Sequence, residues 1–239
     1  GISYTPSNPN PSGWTEAGLE TDCGVRFNID AYPSYSSQIA ADVQDAIDDG
    51  IVVIGAAGND NLLMDVPTGD DWNNRIQLSN GYGLIYYNRG AWPNSPDTDV
   101  INVGALSDHS DFRRSTYTMF GPGVTVFAPG DQILSAFGNT GGGNDGKYPA
   151  GNYYNAINGT SMASPQVCGV AACFANTKNR VSNSDIKLYL QKTSLEGDMT
   201  FDVSGGTFND DTCSKNSPNK YLIASSLRES LGFLQETKG

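Results

Sequence analysis

The apolar positions of this chain fall into runs whose period changes from helical to strand-like and back. Ser36 to Asp49 repeats at helical spacing, with Ile39, Val43, Ala46 and Ile47 on one face. Gly50 is placed to end that helix. Ile51 to Ala57 follows as an unbroken apolar run between Gly50 and Gly58, the pattern of a buried parallel strand. Val25 to Ile29 is a short apolar-leaning strand ahead of the helix, so strand, helix and strand predict one βαβ unit. Val100 to Leu106 and Ile133 to Phe137 read as further strands. Met162 to Asn176 is apolar or small on nearly every face, which predicts a helix buried at the centre of the fold. Ser184 to Gln191 carries a weaker helical pattern on Ile186, Leu188 and Leu190, and Ser225 to Leu234 a terminal one on Leu227, Leu231 and Leu234. No internal repeat is visible. The fold class expected is α/β, a mainly parallel sheet with helices on both faces.

Between these runs lie stretches without period. Residues 1–24 are rich in Pro, Ser, Asn and Gly and read as an irregular N-terminal segment. Residues 61–97 are dense in Asp, Asn, Gly and Pro, with Trp72, Tyr82, Tyr86, Tyr87 and Trp92 interleaved. They read first as an elaborated surface loop that buries its own aromatics, and second as a lid or docking surface. Gly138 to Gly146 is a flexible loop without the Gly-Lys-Ser/Thr ending of a phosphate-binding loop, which excludes that kind of nucleotide site.

Composition narrows the function classes. The 239 residues suffice for one α/β domain with a full core. A net charge of −12 argues against nucleic acid as a partner. No run is long and apolar enough to cross a membrane. The chain shows no signal peptide and starts at Gly1 rather than Met, so its start is expected to be processed, truncated or engineered. Cys168 and Cys173 are five apart on the predicted central helix and therefore on different faces, which makes a bridge between them implausible. They are expected to be small core residues. Cys23 and Cys213 lie in polar sequence near the two ends and could pair; spacing leaves this open. None of the four has zinc-site spacing.

The chemistry centres on Asn158-Gly-Thr-Ser-Met-Ala-Ser-Pro165, where a glycine turn runs into the apolar helix. Gly159 allows close backbone approach, and Pro165 falls in the first helical turn, where its missing N–H does no harm. Ser161 thus stands at a helix N-terminus, where free N–H groups favour developing negative charge. Taken alone, a serine there is an N-cap. Its surroundings overturn that. Gly159 to Pro165, continuing through Val167 to Ala171, resembles the nucleophile segment of the subtilisin-like serine peptidases, with Gln166 where that family usually has His. Val52-Val-Ile-Gly-Ala-Ala-Gly-Asn-Asp60 resembles the family's second diagnostic segment, whose Asn donates to the oxyanion. Val124 to Gly130 and Ser217 to Leu222 resemble two further stretches of it.

The resemblance runs from about Val25 to Leu222 and implies a three-layer subtilisin-like fold, with residues 25–234 as the C-terminal part of a catalytic domain and 61–97 an insertion. It implies a serine endopeptidase acting on protein or peptide through Ser161, with Asn59 in the oxyanion hole and Gly58 lining the substrate cleft. Calcium enters by family resemblance only. Asp70-Asp71, Asp97 with Asp99, and Asn209 to Asp211 offer oxygens, none at EF-hand spacing, and solvated loop acids are the better reading. No cofactor is otherwise expected. The compartment is left open, with export favoured over the cytoplasm.

One part is missing. The family's chain order is Asp, His, Ser. The single histidine, His109, follows Asn59 in a polar turn, Leu106 to Asp111, that the family uses as surface. His109 is therefore read as a solvated turn residue. The general base and its carboxylate are expected on sequence N-terminal to Gly1, cut from the same precursor or continuous with it. The alternative is a catalytically inactive subtilisin-fold component of an assembly.

Overall fold

The structure, a computed structural model, describes residues 3–4, 15, 17, 35–77, 84–91, 93–108, 113–137, 154–178, 180–196 and 220–222. The predicted Val25 strand, the glycine loop at 138–146, the terminal helix at 225–234, Cys23, Cys213, Tyr82 and Trp92 lie outside the described residues.

Strand β1 spans Ser3–Tyr4 and helix α1 spans Ser37–Asp48. Ser36 is extended and its Oγ accepts from the Ile39 N–H at 3.4 Å, which satisfies a donor the first turn leaves free. Gly50, at φ 91°, turns the chain out of the helix in a conformation suited to glycine. Strand β2 then spans only Ile54–Ala56 and is half-buried, while Ile51 is 56% exposed. The expected buried strand from Ile51 to Ala57 is corrected here. Its physical reason is position: β2 is the edge strand of its five-stranded sheet, so among the described residues it is paired on one side only. The Val53 N–H turns instead to the Asn183 Oδ1 at 3.1 Å.

The centre of that sheet is β5, Ile101–Leu106, every residue of which is buried. It pairs in parallel with β2 on one side and with β6, Val126–Pro129, on the other. A short hairpin follows, β7 (Ile133–Ala136) against β8 (Tyr154–Ile157). Helix α2 spans Thr160–Ala175 and α3 spans Asn183–Thr193. Strands β9, Leu195–Glu196, and β10, Lys220–Tyr221, complete the sheet, β10 parallel to β6 and β9 antiparallel to it. Ile101, Val103 and Ala105 pack with Ala163, Val167, Ala171 and Phe174 of α2 and with Ile186, Tyr189 and Leu190 of α3 in one core. This is an α/β fold with a mainly parallel sheet.

Helix α2 departs from the all-round burial its composition predicts. Ser161, Pro165, Cys168, Gly169, Ala172 and Cys173 are exposed along one side. Cys168 and Cys173 are free, exposed thiols rather than core residues. The sheet covers one face of the helix, and no described residue buries the other. Apolar composition states that a helix can be buried all round; it does not supply the second layer.

Helix α3 starts one residue earlier than its pattern predicts, because Ser182 and Asp185 cap each other's backbone N–H groups. The Ser182 hydroxyl and N–H hold the Asp185 carboxyl below the usual aspartate range. A depressed carboxyl contributes stability above its unfolded pKa, near 4, and loses it as pH falls through the lower folded value. Unfolding followed across that acid limb is therefore expected to show a flatter profile for Asp185→Asn.

The 61–97 segment forms strands of its own. β3, Arg75–Gln77, lies between β1 and the antiparallel β4, Leu84–Tyr86. Leu62, Leu63, Met64, Trp72 and Tyr87 are buried. The Arg89 guanidinium sits 3.4 Å from the Tyr86 ring centroid, 4.9 Å from Trp72 and 5.1 Å from Tyr35. It also donates to the Trp72 carbonyl and to Asn73 Oδ1, at 3.1 and 2.7 Å. One side chain thus ties α1's approach to both sides of this segment. Arg89→Ala is expected to cost about 2 kcal/mol in denaturant unfolding, from lost cation–π contacts and charged hydrogen bonds. Lysine should recover only part, because it lacks the planar fork.

Candidate active site

Strand β2 delivers Gly58 and Asn59 to its carboxyl end, the edge at which parallel sheets form sites. Gly58 has φ 119°, and a Cβ there would collide with the Met119 sulfur. Both the turn and the contact require glycine. Opposite, Gly159 donates its N–H to the Gly130 carbonyl at 2.9 Å and occupies the N-cap position of α2. Ser161 is the second residue of the helix and does not cap it.

Thr160 joins the two segments. Its N–H and its hydroxyl both donate to Asn59 Oδ1 at 2.9 Å. Its Oγ1 accepts from the Gly58 N–H at 3.2 Å. Thr160 is 1% exposed, whereas Asn59 and Ser161 are exposed. With its carbonyl oxygen held from the Thr160 side, the Asn59 amide has its N–H₂ end left to donate elsewhere. The Ser161 N–H is among the first helical N–H groups, which have no intrahelical acceptor. The Asn59 amide nitrogen and the Ser161 N–H thus both lie beside Gly159, and the helix dipole favours negative charge there. Among the described residues, Ser161 Oγ has no hydrogen-bond partner.

The other wall is pinned to the same turn. The Tyr117 hydroxyl donates to the Asp131 carboxylate at 2.5 Å and lies 3.1 Å from the Gly130 carbonyl. Burial first, then that hydrogen bond, pushes the phenol well above its ordinary value and keeps it neutral. Gln166 donates to the Pro129 carbonyl at 2.6 Å and to the Met162 carbonyl at 3.0 Å. Asp60, half-buried beside Asn59, has its carboxyl raised by desolvation. Sequence reasoning found Gly58, Asn59 and Ser161, which the fold brings together, but missed Thr160, Tyr117 and Gln166 as supports. Thr160's place inside the nucleophile segment was the available signal. His109 lies outside the described residues.

No group of three or more His, Cys, Asp or Glu side chains suited to a metal occurs among the described residues. The Asp71 carboxylate accepts from Asn74, Asp97 from Tyr35 and Asp99 from Gln44. These three acids each serve a separate protein donor. Asn209 to Asp211 lie outside the described residues.

Residues 6–221 match the sequence profile of the subtilase family, and the chain belongs to it. Proteinase R of Parengyodontium album is 29% identical over 186 residues, covering 78% of this chain and 38% of that protein. Subtilisin DY of Bacillus licheniformis is 29% identical over 177 residues, 74% of this chain and 52% of its own. The chain thus spans about half or less of the length of these curated relatives. Among solved structures, a cold adapted subtilisin-like serine proteinase superposes with TM-score 0.52 at 24% identity, over 90% of this chain and 64% of that one. Fervidolysin from Fervidobacterium pennivorans gives 0.54 at 23%, over 83% and 25%. These likenesses show the subtilisin-like fold. No helix among the described residues is long and apolar enough to cross a membrane.

Proposed function

We propose that this chain carries the nucleophile and oxyanion half of a serine endopeptidase. The hydrogen bonds joining Gly58, Asn59 and Thr160 beside Ser161 are the observation that supports it most. Protein or peptide is the substrate. Ser161 Oγ attacks the scissile carbonyl, and the Asn59 amide and the Ser161 N–H stabilise the oxyanion of the tetrahedral intermediate. The amine leaves, water hydrolyses the acyl-enzyme, and Ser161 is regenerated.

A serine hydroxyl needs a base. The only histidine of the chain, His109, follows Asn59 in sequence, against the family's order of Asp, His, Ser, so the base and its orienting carboxylate come from other sequence. We place them on a segment N-terminal to Gly1, lying against the open side of β2 and the exposed side of α2. Both surfaces adjoin the Asn59–Ser161 turn and both want cover. The whole protein is expected to act outside the cytoplasm. Fluorophosphonate labelling of the longest natural form tests this: a single adduct on Ser161 is expected. Absence of labelling in that form would establish the inactive component instead.

A further inference from the structure

At the far end of α2 from Ser161, Lys178, Arg180, Val181 and one face of α3 line a cleft of about 240 Å³. Phe174, which lines it, stands thirteen residues along α2 from Ser161, about 20 Å at 1.5 Å per residue, so the cleft is no part of the Asn59–Ser161 site. Phe174 and Tyr189 line it, stacked at 4.2 Å between centroids and 19° between planes. Val181 and Leu188 extend that apolar wall, and Leu188 is 50% exposed although it sits on a helix with a core face. Lys178, Arg180 and Lys192 line the same cleft. This is a concentration of positive charge on a chain of net charge −12. None of the three forms an ion pair among the described residues. Lys178 lies 5.8 Å from the Phe174 centroid. The one acid in the lining, Asp185, is hydrogen-bonded to Ser182 and cancels a single positive charge.

An apolar wall with converging polar groups is the form of a small-molecule site. We propose that this cleft binds a carboxylate borne on an apolar group of about a dozen heavy atoms, the apolar body against Phe174, Tyr189 and Leu188 and the anion among the three cations. A neutral ligand would leave the cations unused, and a cation would meet a net repulsion. Two sources supply this chemistry, a free aromatic or aliphatic acid and the C-terminal carboxylate of a peptide ending in an apolar residue. The site is independent of the peptidase reading and stands or falls without it.

Calorimetric titration of the longest natural form separates the sources. One arm uses 2-naphthoate against 2-naphthamide; the other uses acetyl-Gly-Gly-Phe with a free carboxylate against its C-terminal amide. At least one carboxylate is expected to bind ten times or more tighter than its uncharged partner, and the arm that binds names the source. Combined Lys178→Gln, Arg180→Gln and Lys192→Gln should weaken binding at least tenfold with the unfolding midpoint unchanged. Leu188→Glu, at an exposed position, should do the same by placing an anion in the lining, and it decides the matter should the triple variant fail to fold. Binding of neither carboxylate, equal binding of the uncharged partners, or affinity unmoved by these changes overturns the proposal.

Discussion

Ser161→Ala in the longest natural form is expected to reduce peptide hydrolysis to background. The loss should be about 10⁶-fold in kcat, a magnitude that belongs to a bacterial member of this family rather than to this geometry. The structure supplies the reason such a loss would be chemical and not structural. Ser161 is exposed at the second position of α2, its hydroxyl bonds to no described residue, and alanine is a good helix former. Unfolding midpoint and KM should therefore stay near those of the parent while kcat falls. Hydrolysis that survives the substitution, in a protein free of contaminating peptidase, would end the assignment of Ser161 as nucleophile.

Asn59 carries the second large effect. Asn59→Ala is expected to lower kcat by about 10²–10³ with KM little changed, the size established for an oxyanion donor in this same family. Asn59→Asp is the sharper variant. It keeps an acceptor for the two Thr160 donors, so the turn should hold, but it removes the amide donor and puts a negative charge where the oxyanion forms. Its kcat should fall at least as far as that of alanine. Thr160→Val leaves the backbone N–H bond to Asn59 and deletes both hydroxyl bonds, the one given to Asn59 and the one accepted from the Gly58 N–H. A smaller loss in kcat at unchanged KM is expected, because the amide is still held, though by one donor. Steady-state kinetics on the three variants, with thermal unfolding beside them, checks the order. Equal activity of Asn59→Asp and parent would remove Asn59 from the oxyanion hole.

How far the chain could be read in advance follows from the reach of each signal. Helix α1 was legible because its cap, apolar face and terminating glycine lie within fifteen consecutive residues. Strand β5 was legible because a central strand is apolar on both faces wherever it sits. Gly58, Asn59 and Ser161 were legible as short motifs, each with a local turn to accommodate. The supports were not. Thr160, Tyr117 and Gln166 act on partners 101, 14 and 37 residues away, and no local period marks such pairs. The same holds for Arg89, whose three aromatic neighbours come from three separate stretches.

The sequence by itself determined the family, the α/β class and the presence of the main helix, although the structure starts that helix at Thr160 rather than Met162 and so places Pro165 inside it rather than in its first turn. Those properties rest on side-chain type and short spacing, and a chain carries them wherever it folds. Tertiary structure decided what lies beside what. It made β2 an edge rather than a buried strand, because pairing depends on which strands arrive on each side. It left one face of α2 and both its cysteines in solvent, because burial depends on a second layer and not on apolarity. And it fixed the Asn59 carbonyl oxygen, because only the arrival of Thr160, 101 residues later, supplies the two donors that hold it.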